Sequence, residues 1–441
     1  MEVLTNNGTK NPAAAYLSEL FNASVTMKAE LERLMQYLEI CGYDSLSYAG
    51  DFAKKNDIDG ALSKKEGVLM LDKLKNALIN EVCLPLEKTA NEPLPSDPAS
   101  ATETASRAPF SEIYAESAVL SGGYPLAREI LSRFPGAKLT EISHFKDVFN
   151  RAGQDFTAQK RSPALILAVN NGAKIYPGAR PCQSFGHEHF YYTSQIKNCI
   201  YDCEYCFLRG MYPSANIVIF VNTGDYFAEI QNMLKEHPVY LSIAYDTDLP
   251  AFESFTGLTK KWCGFAAENP SLLIEIRTKC GSKAFADNIL ETGKGAAPEN
   301  IILSYTVSPA AVAARFEHGA GTYAARKNAL LYALKKGLRT RLCLDPLLPV
   351  RDFEKHYGEM IDDIFSDPLS RNIEDISVGS FRISKSYMKN MKKSALTPVS
   401  AYPYVLEYGM CVLDAKTRRK LCSFVTDRLS LYFPKEKIFE A

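Results

Sequence analysis

The sequence predicts an α/β protein built on a partial, parallel (β/α) barrel, with an N-terminal helical segment before it and a small basic C-terminal region after it. Three observations carry this. Short aliphatic and β-branched runs alternate with helical stretches from residue 165 to residue 378, the pattern of strand–helix units around a parallel sheet. The first hundred residues show helical periodicity instead. Three cysteines crowd into one segment directly after a predicted strand, where α/β folds place ligands.

The chain's 441 residues allow two to four domains at ~100–200 residues each. Hydrophobic residues are 46% and charged residues 23%, enough to bury a sizeable core. Lys+Arg and Asp+Glu are both 51, so a protein acting mainly as a polycation is excluded. No apolar run reaches the ~18–20 residues that span a bilayer, and the first residues lack the basic flank and apolar stretch of a secretory signal. Eleven cysteines without such a signal predict a reducing, cytoplasmic setting, with no membrane partner.

In order along the chain, residues 12–40 read as helix through Met27, Leu31, Leu34 and Leu38, and residues 59–83 repeat the pattern through Leu71, Leu74, Leu78 and Val82. These predict a small helical domain over 1–85. Residues 86–109, with Pro93, Pro95, Pro98 and Pro109 among Ser, Thr and Ala, read as a linker. An α/β region over 110–189, a barrel over 190–385 and a basic region over 386–441 follow. Strands are predicted at 165–169, 190–193, 217–221, 239–244, 272–276, 301–305, 338–344 and 376–378. One helix is expected from Asp225, as N-cap, to His237 before Pro238, and another from Thr322 to Lys336, ending at Gly337.

The cysteines are 41, 83, 182, 199, 203, 206, 263, 280, 343, 411 and 422. A buried structural cysteine acts as a small hydrophobe with no reason to cluster, whereas Cys199, Cys203 and Cys206 share one short loop and point to a soft metal. Two readings stand. Zinc prefers two ligand pairs, and here Cys182, His187 or His189 would have to complete the set. An iron–sulfur cluster takes thiolates from such short runs, and three rather than four leave one iron open to a ligand.

The predicted strand ends are polar. Tyr245-Asp246-Thr247-Asp248, Arg277-Thr278-Lys279, Thr306-Val307-Ser308, Asp345-Pro346 and Gly379-Ser380-Phe381-Arg382 follow successive strands. Each alone reads as a turn or cap, but five on one barrel face read as a site.

The spacing C-x3-C-x2-C with Tyr205 before the last cysteine resembles the signature of radical S-adenosylmethionine enzymes. The region from about Phe110 to Arg382 resembles one of their families, the spore photoproduct lyases. The match rests on Lys160-Arg161, Cys206-Phe207-Leu208-Arg209, the run from Ile217 to Asn222, Thr278-Lys279, and Arg315-Phe316-Glu317-His318-Gly319 with Arg326. The resemblance implies a partial barrel of radical SAM type and a [4Fe–4S] cluster on Cys199, Cys203 and Cys206. It also implies S-adenosyl-L-methionine (SAM) near Tyr205, Lys279, Thr306 and Ser308. Catalytic roles fall to Tyr205, to Tyr245 and to Arg382 near the substrate. The cluster would draw an electron from a donor such as flavodoxin or ferredoxin. The implied activity is that of a carbon–carbon lyase acting on damaged DNA. The other readings are the same radical chemistry on a small molecule or peptide, and a zinc-stabilised, non-catalytic nucleic-acid-binding protein.

Two positions depart from the family. Its Ala-Cys-Thr-Ser-Asp, whose cysteine returns a hydrogen atom to the product radical, is Ala244-Tyr245-Asp246-Thr247-Asp248 here, and the residue after the third cluster cysteine is Phe207 where lyases often have Tyr. Tyr245 is then either a phenolic hydrogen donor or a wall of a different pocket, and little repair of the spore thymine dimer is expected. Residues 371–441 hold 13 basic and 7 acidic side chains, with Tyr387, Tyr402, Tyr404 and Tyr408 interleaved. That pattern predicts either a solvated face or a surface for DNA or a nucleotide.

Overall fold

The structure, a computed structural model, describes residues 11–87, 110–178, 182–293, 297–394 and 397–440. Most of the predicted linker, residues 88–109, lies outside the described residues.

The N-terminal segment forms four helices, Pro12–Leu20, Val25–Ile40, Ser45–Lys55 and Lys64–Glu81. The single helix expected over 12–40 is broken. Asn22 adopts φ 46°, and the Ser24 hydroxyl accepts the Met27 amide to start a new helix. The apolar period runs across the break because Phe21, Met27 and Leu31 enter one core. Ser63 and Glu66 form a reciprocal capping box at the fourth helix.

In chain order the strands are β1 Glu112–Glu116, β2 Lys138–Ile142, β3 Leu165–Ala168, β4 Ile175–Pro177, β5 Phe190–Thr193, β6 Ile196–Lys197, β7 Asp202–Cys203, β8 Ile217–Phe220, β9 Val239–Ser242, β10 Leu272–Thr278, β11 Ile301–Thr306, β12 Glu317–His318, β13 Arg339–Leu347, β14 Ile376–Ser380, β15 Arg382–Ser384, β16 Val405–Glu407, β17 Met410–Val412 and β18 Ile438–Glu440. They make two large sheets. The first has the order β2-β1-β3-β8-β6 and is parallel except for β6. The second has the order β18-β14-β13-β11-β10-β9-β5-β4 and is parallel except for β4. Its two edge strands do not pair with each other, so the barrel is open.

The run at 217–221 therefore belongs to the first sheet and not to the barrel over 190–385, whereas the run at 165–169 lies in that sheet within the region predicted over 110–189. β3 and β8 are buried along their whole length, and such runs suit any parallel sheet covered on both faces. The helix expected from Asp225 spans Thr223–Met233, with the Asn222 side chain bonded to Asp225 at 2.6 Å. The helix capped by Thr322 spans Tyr323–Lys335, close to its predicted range.

The register of the second sheet separates its faces. Ile274, Ile276, Leu303, Leu342 and Val378 lie buried on one face. On the other, Glu275 pairs with Ser242, Arg277 with Ser304, Ser304 with Arg341, and Thr306 with Cys343. The barrel interior is thus polar, where closed (β/α) barrels usually pack branched apolar side chains.

The C-terminal region forms the small sheet β15-β17-β16 and the helix Ala415–Leu429. The N-terminal helices pack against it. Arg33 donates to the Tyr402 carbonyl at 3.0 Å, and the Tyr37 and Tyr402 rings meet edge to face at 5.7 Å. Leu84 forms a β-bridge with Val350. No helix among the described residues is long and apolar enough to cross a membrane.

Candidate active site

The cysteine loop leaves the barrel after β5 and is fixed from several directions. Asn198 stands at its entrance with φ 72°, a left-handed conformation that asparagine tolerates better than most residues. Its buried amide donates to the carbonyls of Ser214 and Asn216 at 2.6 and 2.9 Å, tying the two ends of the loop together. The buried Lys160 ammonium donates to the carbonyls of Cys199 and Tyr201 at 2.7 and 2.9 Å. Within the loop, β7 pairs with β12, setting Cys203 opposite Glu317 and Asp202 opposite His318. The Glu204 carboxylate meets Arg315 at 2.7 Å and His318 at 3.0 Å.

Cys199 and Cys203 are buried and Cys206 is partly exposed. Burial, Asp248 and Cys206 push the Cys199 thiol up to about 12, against the pull of Lys160. Burial likewise raises the Cys203 thiol, opposed by Lys279 and reinforced by Glu317 and the other two thiols. The three sulfurs therefore lie within each other's electrostatic reach. Three mutually close thiols on one short loop are the soft donor set that an iron–sulfur cluster takes, so the residues present fit a cluster. Of the other zinc candidates, His187 stacks near Tyr240 at 4.4 Å, His189 on His237 at 4.0 Å, and Cys182 bonds Tyr245.

Glu317 organises the cluster side of the site. Its carboxylate accepts from the Tyr205 hydroxyl, from Arg326, and from the Ser308 hydroxyl at 2.9 Å. Arg326 also donates to the Thr306 carbonyl at 3.1 Å and the Gly321 carbonyl at 2.6 Å. Burial would raise the Glu317 carboxyl, but Arg326 and Lys279 outweigh it and hold it below the usual range. Lys279, at the end of β10, sits over the Tyr205 ring at 5.5 Å. Burial alone would lower its ammonium, but Cys203 and Glu317 raise it, so it stays charged. Among the described residues its ammonium has no hydrogen-bond or ion-pair partner. Asp248 accepts the Lys279 amide at 2.6 Å and the Thr278 hydroxyl at 2.7 Å, fixing the strand end that carries Lys279.

Tyr245 and Arg382 occupy another part of the barrel mouth. The Tyr245 ring lies 4.1 Å from Tyr192 and 5.8 Å from Phe207, and its hydroxyl contacts the Cys182 thiol. Burial, then Cys182, raise the phenol well above its ordinary value. Arg382 grips Asp345 through two hydrogen bonds of 3.0 and 3.1 Å. A Cβ on Gly379 would come within 2.9 Å of both partners, so this pair needs glycine there. Below the mouth, Glu275 meets Arg277 at 3.1 Å and Arg341 at 3.3 Å. Burial raises its carboxyl, but the two guanidinium groups prevail and hold it at about 2.

Tyr205, Ser308 and Lys279 thus gather around Glu317, with the Thr306 backbone joined through Arg326. Tyr245 and Arg382 stand apart from that group, linked by Cys182, whose thiol senses both. Sequence reasoning gave no role to Glu317, Arg326 or Lys160, although it quoted all three within matching segments. Cys182 entered it as a candidate zinc ligand and not as the partner of Tyr245. Of the C-terminal tyrosines, Tyr402 is buried, Tyr387 and Tyr404 are half-buried and Tyr408 is exposed. Arg418, Lys420 and Arg428 pair with Glu407, Glu354 and Asp362.

No protein-family model matches the chain, and no curated protein matches it. Solved structures do. A spore photoproduct lyase double mutant with bound AdoMet and dinucleoside spore photoproduct superposes at TM-score 0.60 with 18% identity, covering 75% of this chain and 97% of that one. Spore photoproduct lyase complexed with dinucleoside spore photoproduct gives TM-score 0.61 at 18% identity, with 75% and 98% covered. At this identity the likeness establishes the fold: a mixed α/β architecture with a partial parallel barrel, shared with the spore photoproduct lyase structures.

Proposed function

We propose that the chain is a radical S-adenosylmethionine enzyme holding a [4Fe–4S] cluster on Cys199, Cys203 and Cys206. The observation that carries this reading is the three-thiol loop at the carboxyl mouth of a partial barrel, clamped by Lys160 and by the β7–β12 pairing. When bound, cluster and SAM together supply a 5′-deoxyadenosyl radical that removes a hydrogen atom from substrate. The residues of this chain bind, orient and shield. Lys279 presents an unpaired ammonium suited to the carboxylate of SAM. Glu317 holds Tyr205 and Ser308 in fixed orientations, and the hydroxyl of Tyr205, committed to Glu317, leaves the ring as its ligand-facing part. The barrel wall keeps water from a reactive intermediate. An electron carrier such as flavodoxin or ferredoxin supplies the reducing equivalent.

The substrate we infer is a molecule other than the spore thymine dimer. Tyr245 and Phe207 occupy the two positions through which the lyases return hydrogen, and they lie against each other. A nucleic acid or nucleotide undergoing lyase-like cleavage is the first reading, supported by the net positive charge of residues 371–441. Anaerobic reconstitution tests the proposal. A brown protein that binds iron and sulfide and converts SAM to 5′-deoxyadenosine supports it, and a colourless zinc protein with no cleavage overturns it. Turnover with irradiated DNA should give little repaired thymine.

A further inference from the structure

A second cleft lies beside the entrance to the cysteine loop, at the carboxyl edge of the first sheet. His144 and Lys146 after β2, Asn170 after β3, Tyr176 on β4 and Lys197 on β6 bound a space of about 240 Å³. The carboxyl edge of an open parallel sheet is where α/β folds collect ligands. No Asp or Glu lines this cleft. Lys146 is exposed on its rim and, among the described residues, has no acidic partner. Lys197 has one, Asp246, at 4.0 Å. That carboxylate oxygen instead accepts the Ser194 hydroxyl and the Tyr212 hydroxyl, the latter at 2.6 Å, and at 4.0 Å the Lys197 ammonium makes no hydrogen bond to it, so its N–H donors are left for a ligand. Two ammonium groups with donors to spare, in a cleft lined by no carboxylate, attract a compact anion.

Flat rings extend from this charge toward the barrel mouth. Tyr176 stacks on Tyr192 at 5.3 Å and 23°, and Tyr192 lies on Tyr245 at 4.1 Å. Cations followed by a row of aromatic faces form the arrangement that holds a phosphate with a base attached. We propose that this cleft binds a phosphate group, carried either by a free nucleotide or by a nucleic-acid strand that runs on toward the mouth. The inference refines the substrate class proposed above, but binding here needs neither cluster nor SAM, so the two readings fail separately.

The test uses the full-length protein without reconstitution. Its probes are a fluorescent single-stranded dT10 and, as competitor, thymidine monophosphate, titrated over a range of salt. Lys146→Glu and Lys197→Gln are each expected to weaken binding about tenfold or more, and to reduce the log–log salt slope by roughly 0.7 per lost single-strand phosphate contact. Competition by the mononucleotide with the same lysine dependence identifies the free nucleotide. Lysine-dependent binding of dT10 that the mononucleotide does not displace identifies the strand. Lys146→Glu lies on an exposed rim and tests the idea even if Lys197→Gln folds poorly. The proposal is overturned if neither probe binds the natural protein, or if Lys146→Glu leaves affinity and salt slope unchanged. Iron content and 5′-deoxyadenosine yield report independently on the enzymatic reading.

Discussion

The Cys182 thiol and the Tyr245 hydroxyl meet across the mouth of the barrel. Both groups are raised above their ordinary values, chiefly by burial, so both carry their hydrogen at neutral pH. The Tyr245 contact works in the opposite direction on the thiol, drawing it down. Tyr245→Phe should therefore move the alkylation profile of Cys182 to higher pH, read by mass spectrometry of its peptide. An unmoved profile would show that the pair does not interact in solution. In turnover, Tyr245→Phe should still form 5′-deoxyadenosine. If Tyr245 is the hydrogen donor its product fails to form, and if Tyr245 is only pocket wall, product forms at nearly the natural rate.

Lys160 anchors the start of the cysteine loop through two backbone carbonyls. Lys160→Met keeps the aliphatic stem and deletes both charge-assisted hydrogen bonds, which should cost about 2–4 kcal/mol. Urea unfolding should register that loss. Reconstituted protein should also yield its iron to a chelator several-fold faster than the natural enzyme, and equal release rates would assign Lys160 to packing alone.

Glu317 faces Arg326 in a fully buried pair. Glu317→Gln leaves Arg326 uncompensated and should destabilise by about 3 kcal/mol or more. The sign of the pH dependence follows from the depressed carboxyl. Its stabilisation is complete above the unfolded carboxylate value and disappears as pH falls through the lower folded value. Unfolding free energy should accordingly drop less steeply below pH 4.5 in Glu317→Gln than in the natural chain.

Lys392 is the reverse case. Burial, then Arg33, push its ammonium down to about 8, with Glu30 opposing. A lysine lowered in the folded state destabilises below that value, and the penalty lifts as pH rises toward the unfolded value near 10.5. Lys392→Met should stabilise the protein at pH 7 by about 1–2 kcal/mol, with the gain vanishing by pH 10. Equal stability at both pH values would place Lys392 in water.

The strands of the barrel were legible because aliphatic runs followed by polar ends repeat along the chain, and the cysteine loop because its spacing is local. The sheet to which a run belongs was not, because Ile217–Phe220 and Val239–Ser242 are equally buried and composition does not say which neighbour covers them. The clamp around the loop escaped for a different reason. Tyr205 and Glu317 are 112 positions apart, and no periodicity connects a residue to a partner at that distance. The break at Asn22 was hidden by apolar spacing that stays in phase across a four-residue connection. The N-terminal cover over Tyr402 depends on a docking that neither segment announces alone.

The two sheets are threaded through one another. The chain visits the first sheet with β1 to β3, the second with β4 and β5, and the first again with β6 and β8; from β9 it builds the rest of the second, leaving it only for β12 and the small sheet β15-β17-β16. Neither sheet can be assembled from a contiguous stretch, and the cysteine loop belongs to the second visit. A nascent chain that has emerged only as far as Phe220 can complete the first sheet, yet it leaves β5 without its partner β9, a bare edge open to other chains. Slow elongation at low temperature with a chaperone present should raise the yield of native protein. A cut between residues 221 and 239 should give two halves that fold only when mixed.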